Sequence, residues 1–202
     1  AVLSDIHGNI WALMAVMADI VWQGIDTIVN LGDALYGPLD PAATARYLMG
    51  IEMYSVRGNQ DRMLIEPPDG PSRTLRACRQ ALSQAAHAWL EAQPAIAVLR
   101  GGIILCHGTP AADDAYLLET LAPQGSTLRD ETAISGDLAA VSQGLILCGH
   151  SHIPRTVRLS DGRLIVNPGS VGLPAFTGEK PTPHRMETGS PHARYAVLTW
   201  SG

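Results

Sequence analysis

Two aspartates, one asparagine and four histidines stand in short polar runs that each end an apolar stretch. They are Asp5-Ile6-His7, Gly32-Asp33, Gly58-Asn59, a lone His107 after GGIILC, and Gly149-His150-Ser151-His152. Carboxylate, amide and imidazole donors without a thiolate suit Mn, Fe, Ni or Zn better than structural zinc or calcium. Seven such donors are enough for two divalent ions. One DxH arises by chance in many proteins, whereas the ordered set is specific.

The elements that must position these groups alternate. Ala1 to Leu3 reads as a strand end, and Asn9 to Trp22 carries Ile10, Leu13, Met14, Met17, Ile20 and Val21 at helical spacing. A strand follows at 27–31, a helix over 40–49 that begins Asp-Pro, and a strand at 53–56. This βαβαβ order predicts a parallel sheet with helices packed on it. Residues 72–92 read as one long helical pattern. Ile96 to Leu99 and Ile103 to Cys106 read as a hairpin around Arg100-Gly101-Gly102. Residues 109–126 read as loop and short helix, 130–143 as weakly helical, and 145–148 as a buried strand. A second hairpin is expected around Ser160-Asp161-Gly162, and a last strand at 195–200. Every polar run then lies at the C-terminal end of a strand, the edge at which open α/β sheets bind ligands.

Bulk properties narrow the function. The chain has 202 residues, 46% hydrophobic and 16% charged, which suits one globular domain over 1–202. A net charge of −5 argues against duplex nucleic acid and against an anionic membrane surface as partners. The three cysteines Cys78, Cys106 and Cys148 form no even framework and no CxxC pair, so buried reduced thiols and a cytoplasmic location are expected. No stretch reads as a signal peptide or reaches the ~18 apolar residues of a membrane span.

With these residues in view, the chain resembles the calcineurin-like metallophosphoesterases over nearly its whole length. The matched motifs are DIH (5–7), GD (32–33), GNQD (58–61), HG (107–108), GHSH (149–152) and NPGSVG (167–172). It is most similar to the small single-domain bacterial and archaeal phosphodiesterases. The resemblance implies an α/β fold, a four-layer α/β/β/α sandwich. It also implies two divalent metal ions, Mn favoured over Fe, Ni or Zn. One ion would take Asp5, His7 and His152, the other Asn59, His107 and His150, with Asp33 bridging both. Alternating residues of an extended strand share a face, so Asp5 and His7 are expected to reach one ion and His150 and His152 to sit as neighbours. Two ions about 3.5–4 Å apart hold a bridging hydroxide and clamp phosphoryl oxygens for in-line attack. The expected activity is hydrolysis of a phosphodiester or another phosphorylated small molecule. A phosphomonoesterase acting on protein or nucleotide, and a non-catalytic scaffold of the same fold, are the alternatives. A scaffold should have lost ligand positions, and all seven are present.

One departure bears on the reaction. Many relatives carry GNH[DE], and here the histidine's place holds Gln60, which donates hydrogen bonds but has no titratable proton near neutral pH. General acid catalysis worth ~10²–10⁴-fold is then missing from this position. Gln60 and Asp61 are expected to orient substrate or metal ligands. His87 reads as a helix residue, and His184 and His192 lie in a stretch interrupted by proline and glycine. Residues 174–194 are expected to form a lid loop without lasting helix or strand. Its His184 and Arg185 are candidates for binding phosphate, and one of its histidines for the missing acid.

Overall fold

The computed structural model describes residues 1–67, 72–122 and 125–200. The first half is a parallel three-stranded sheet of β1 (Val2–Leu3), β2 (Val29–Asn30) and β3 (Tyr54–Ser55). Its crossovers are α1 (Ile10–Trp22) and α2 (Pro41–Met49). Both begin on a side chain that accepts an otherwise orphaned N–H: Asn9 from Ala12, and Asp40 from Ala43 with proline next. Such a cap is worth about 1 kcal/mol. Next come α3 (Asn59–Ile65), α4 (Arg73–Ala81) and α5 (Gln84–Ala92). The single helix expected over 72–92 is thus two. Leu82 turns extended at ψ 136°, and the Ser83 hydroxyl accepts the Ala86 N–H, so a serine that competes for backbone bonds starts a new helix.

The second half is β4 (Ile96–Leu99), β5 (Ile103–Cys106), β6 (Glu119–Ala122), β7 (Gly125–Leu128), α6 (Glu131–Asp137), β8 (Leu145–Leu147), β9 (Arg155–Arg158), β10 (Leu164–Asn167), β11 (Ala175–Gly178) and β12 (His184–Glu187). Five of these strands make a sheet in the order β4-β5-β8-β10-β9, in which β5, β8 and β10 run parallel and β4 and β9 are antiparallel edges. Both hairpins expected around 100–102 and 160–162 are present.

Three expectations need correction. Within 109–126, expected as loop and short helix, β6 pairs with β7; residues 123–124 lie outside the described residues. Within 174–194, β11 and β12 form a hairpin, because Pro181 and Pro183 fall in its connection and Pro174 and Pro191 lie beyond its ends. Prolines confined to such positions cost the ladder nothing. The last strand reduces to one bridge, where Val2 and Ala196 exchange backbone bonds of 2.8 and 3.0 Å.

Three apolar clusters fix the order of layers. Leu3, Leu13, Ile20, Leu48 and Leu90 join the five helices α1–α5 to one face of the first sheet. Val2, Val29, Leu31, Leu105, Leu147 and Val166 lie between the two sheets. Ile104, Ile146, Ile165, Ile134 and Leu138 pack the outer face of the second sheet on α6. Neighbours in sequence alternate between clusters, as Leu105 and Ile104 do, which is the period-two signature of a sheet covered on both faces. The fold is a mixed α/β one in which apolar clusters lie on both faces of the sheets. Among the described residues no helix is long and apolar enough to cross a membrane.

Candidate metal centre at the sheet rim

All seven expected donors stand just past the C-terminal ends of strands: Asp5 and His7 after β1, Asp33 after β2, Asn59 after β3, His107 after β5, and His150 and His152 after β8. The rim gathers the carboxylates and imidazoles into two triads, Asp5–His7–His152 and Asp33–His107–His150, whose ligand atoms lie within 4.8 Å of one another in each. The triads adjoin, since His107 Nε2 is 3.9 Å from Asp5 Oδ1 and 3.4 Å from Asp33 Oδ2. Asn59 opens α3 beside them, and its Oδ1 is buried.

Strand alternation is not what aims these side chains. The regular pairing stops at Leu3 and Leu147, and five donors adopt left-handed backbone: Asp5 (φ 56°), His7 (50°), Asp33 (51°), His150 (67°) and His152 (59°). They are all of the non-glycine residues with positive φ among the described residues. Such conformations cost on the order of 1–3 kcal/mol each and persist only where the surroundings impose them. Here the surroundings are backbone bonds between the loops. Asp5 N–H donates to Gly32 O, His7 N–H to Asp33 O, and Gly149 N–H to His107 O. The NPGSVG run adds Ser170 Oγ donating to Asp5 O and Asn167 Nδ2 to Gly149 O. A side chain on Gly58 would overlap the Asp33 carboxylate, so that loop closes only around glycine.

Proton positions follow from the hydrogen bonds. His7 Nδ1 faces Tyr36 O at 2.9 Å, His107 Nδ1 faces Leu31 O at 2.8 Å, and His152 Nδ1 faces Leu173 O. A carbonyl only accepts, so each Nδ1 carries hydrogen and each neutral imidazole turns an Nε2 lone pair inward. His7 Nε2 and His152 Nε2 then oppose each other at 3.1 Å, with Asp5 Oδ1 3.1 Å from the latter. Lone pairs and a carboxylate at such separations repel unless a cation or added protons lie among them. Asp5 Oδ1, His107 Nε2, Asn59 Oδ1 and Gln60 Oε1 are buried without a hydrogen-bond partner. An unsatisfied buried group costs about 1–3 kcal/mol. The donor set fits divalent metal ions.

Titration in the metal-free protein reflects the same crowding. Burial opposes the Asp5 charge, yet His152, His7 and His107 hold its carboxyl well below the usual range. Burial opposes the His107 charge too, but Asp33 and Asp5 push that imidazole up to about 10. Burial and the neighbouring His107 charge bring His150 down to about 4.

The remaining candidates take varied places. The Gln60 backbone N–H donates to Asp33 Oδ1 at 2.8 Å. Asp61 is fully buried, and its carboxylate accepts N–H groups of Ala34, Leu35 and Gly58, stapling the Asp33 loop to the turn before α3. His184, expected among exposed lid groups, is 4% exposed on the inner face of β12, with both ring nitrogens engaged by Thr182 O and the Tyr116 hydroxyl. Arg185 is not brought to the rim; strand alternation turns it outward, where it pairs with Glu187. Sequence reasoning missed Tyr116, which stacks on His150, and Phe176, which packs on His152 at 4.5 Å. Neither belongs to a polar run, so spacing alone held no signal for them. Cys78, Cys106 and Cys148 are buried free thiols.

Comparison with known proteins identifies the family and agrees with the fold. The family described as the calcineurin-like phosphoesterase superfamily domain matches residues 1–190. An uncharacterized protein of Methanocaldococcus jannaschii is 29% identical over 197 residues, covering 86% of this chain and 76% of that one. A metallophosphoesterase structure from Sphaerobacter thermophilus aligns with a TM-score of 0.67 at 24% identity, over 92% of this chain and 86% of that one. A hypothetical protein from Pyrococcus horikoshii aligns with a TM-score of 0.67 at 19% identity, over 97% and 88%. On the strength of the family match, the chain belongs to the calcineurin-like phosphoesterase superfamily.

Proposed function

We propose that this protein is a phosphodiesterase that works with two divalent metal ions, Mn²⁺ favoured. The observation that carries the reading is the inward convergence of three Nε2 lone pairs and the Asp5 carboxylate beside a second carboxylate–imidazole triad. Asp5, His7 and His152 would hold one ion, and His107, His150 and Asn59 the other. Asp33 would serve both ions: Gln60 N–H donates to its Oδ1, and its Oδ2 lies 3.4 Å from His107 Nε2. When bound, the pair supplies a nucleophilic hydroxide at neutral pH and charge stabilisation for the phosphoryl oxygens. The chain keeps the Asp5 and Asp33 carboxyls ionised and the imidazoles aimed inward, the latter giving up their protons when metal binds, and the buried Asn59 Oδ1 would add an amide donor.

A diester is favoured over a monoester on charge. Arg62, the guanidinium next to the GNQD run, is committed to Asp113 by bonds of 2.7 and 2.8 Å, and Arg185 faces outward. Neither is free to balance the second charge of a monoester dianion. Both His184 nitrogens are engaged and Gln60 has no acidic proton, so leaving groups that depart without protonation suit the site best. The test is metal analysis of the purified protein, then hydrolysis of bis(p-nitrophenyl) phosphate and p-nitrophenyl phosphate with Mn²⁺. Two ions per chain and faster diester turnover are expected; no bound metal, or a faster monoester, would refute the reading.

A further inference from the structure

His150 is held differently from the other three rim histidines. His7, His107 and His152 each have Nδ1 against a backbone carbonyl, whereas among the described residues no group hydrogen-bonds the His150 ring. Its backbone N–H reaches Asp5 Oδ2, which places the residue but leaves rotation of the ring open. The ring is instead covered by Tyr116, stacked at a centroid distance of 4.5 Å and an interplanar angle of 20°.

Tyr116 is itself anchored. His184 Nδ1 lies 2.7 Å from Thr182 O and must donate there, so the neutral ring has only its Nε2 lone pair left. That lone pair accepts from the Tyr116 hydroxyl at 2.9 Å. The His184 ring fills the space a side chain on Gly178 would take, and Gly178 is its partner across the β11–β12 hairpin. The same inner face carries Phe176, packed on His152. One hairpin therefore touches the first triad directly and reaches the second through Tyr116.

We propose that Tyr116 is a positioning residue: its ring, tied to the hairpin through His184, fixes the plane of the His150 imidazole and so completes the Asp33–His107–His150 metal site. This rests on the two-metal reading above. A ring that must find its own orientation loses rotamer freedom on binding, and a stacked partner removes that loss beforehand. Outer partners of metal-bound histidines typically change affinity by 10–100-fold.

The test is a calorimetric Mn²⁺ titration of the whole protein, with the exchange-coupled two-Mn²⁺ spin-resonance signal as a second readout. Wild type should bind two ions. Tyr116→Leu, which fills the volume without a flat ring, should weaken one ion by about 10–100-fold, leave the other within about twofold and lose the coupled signal at limiting metal. Tyr116→Phe keeps the stack and should restore most of the affinity. His184→Ala removes the anchor away from the ligands and should weaken the same ion by a smaller factor. Wild-type affinities in Tyr116→Leu, equal weakening of both ions, or a Phe variant no better than Leu would overturn the proposal, as would wild-type binding in His184→Ala. Fewer than two ions in wild type would instead overturn the two-metal reading itself.

Discussion

Val2 and Leu3 sit in paired strand, one facing the second sheet and the other the helices. Asp5 and His7, a few residues on, sit in left-handed backbone with polar groups aimed at one another. The same contrast recurs between Leu147 and the pair His150 and His152. In the layers every local preference agrees with the fold, while at the rim the backbone is held against its preference and charges are buried. Such disagreement is what a functional site looks like when the rest of the molecule stabilises it.

Substitutions at the two places should separate activity from stability. Asp33→Asn, in the triad with His107 and His150, is expected to lower kcat/KM by at least ~10²–10³-fold, the loss typical of one electrostatic group at a reacting centre. It should leave the folded content unchanged by circular dichroism. Full activity with two bound ions in this variant would break the contrast. Leu105→Ala, buried between the sheets, should do the reverse, costing about 2–5 kcal/mol in denaturant unfolding with normal turnover per folded molecule.

Titration sharpens the comparison further. In metal-free protein His107 is raised to about 10, so its contribution to stability is complete below the usual 6.5 and is lost as pH climbs toward 10. His150 is lowered to about 4, so its contribution is present above 6.5 and is lost as pH falls toward 4. The chelated protein should therefore show its highest melting temperature near pH 6.5. Metal binding needs deprotonated imidazoles, so apparent Mn²⁺ affinity should rise with pH across 6–9, with proton release seen by calorimetry in buffers of different ionisation heat. A chelated protein whose melting temperature is flat from pH 6 to 9 would remove His107 from this account. The smallest effect is expected from Gln60→His. With p-nitrophenol leaving, the rate should hardly change, while the dependence of rate on leaving-group pKa across aryl phosphodiesters should flatten. An unchanged slope would show that protonation does not limit the reaction.

Most of the layers and the rim were legible because each leaves a local mark. Alternating apolar residues marked the strands, Asn9 and Asp40 marked helix starts, and polar runs after apolar ones marked the rim. The break at Leu82-Ser83 was hidden because a serine inside an apolar periodicity reads equally as a surface position. The β11–β12 hairpin was hidden because prolines dominate the composition of 174–194 while sparing the eight strand positions. Tyr116 was illegible for another reason: its partners His150 and His184 are 34 and 68 residues away, and only the folded chain brings them together. The left-handed backbone of five donors was equally silent, since alternation expects extended backbone there.

Those left-handed positions also channel how this lineage can lose its chemistry. At Asp5, His7, Asp33, His150 and His152 the residues that fit the backbone without strain are glycine first and asparagine next. A descendant drifting free of selection for catalysis should accumulate Gly and Asn there, and seldom Ala or Val, whose Cβ makes φ near 50–67° costly. An exchange to glycine would relieve backbone strain while removing a candidate metal donor, so the fold would outlive the reaction. Glycine at several of these positions in a homologue should then go with loss of bound metal while the fold persists.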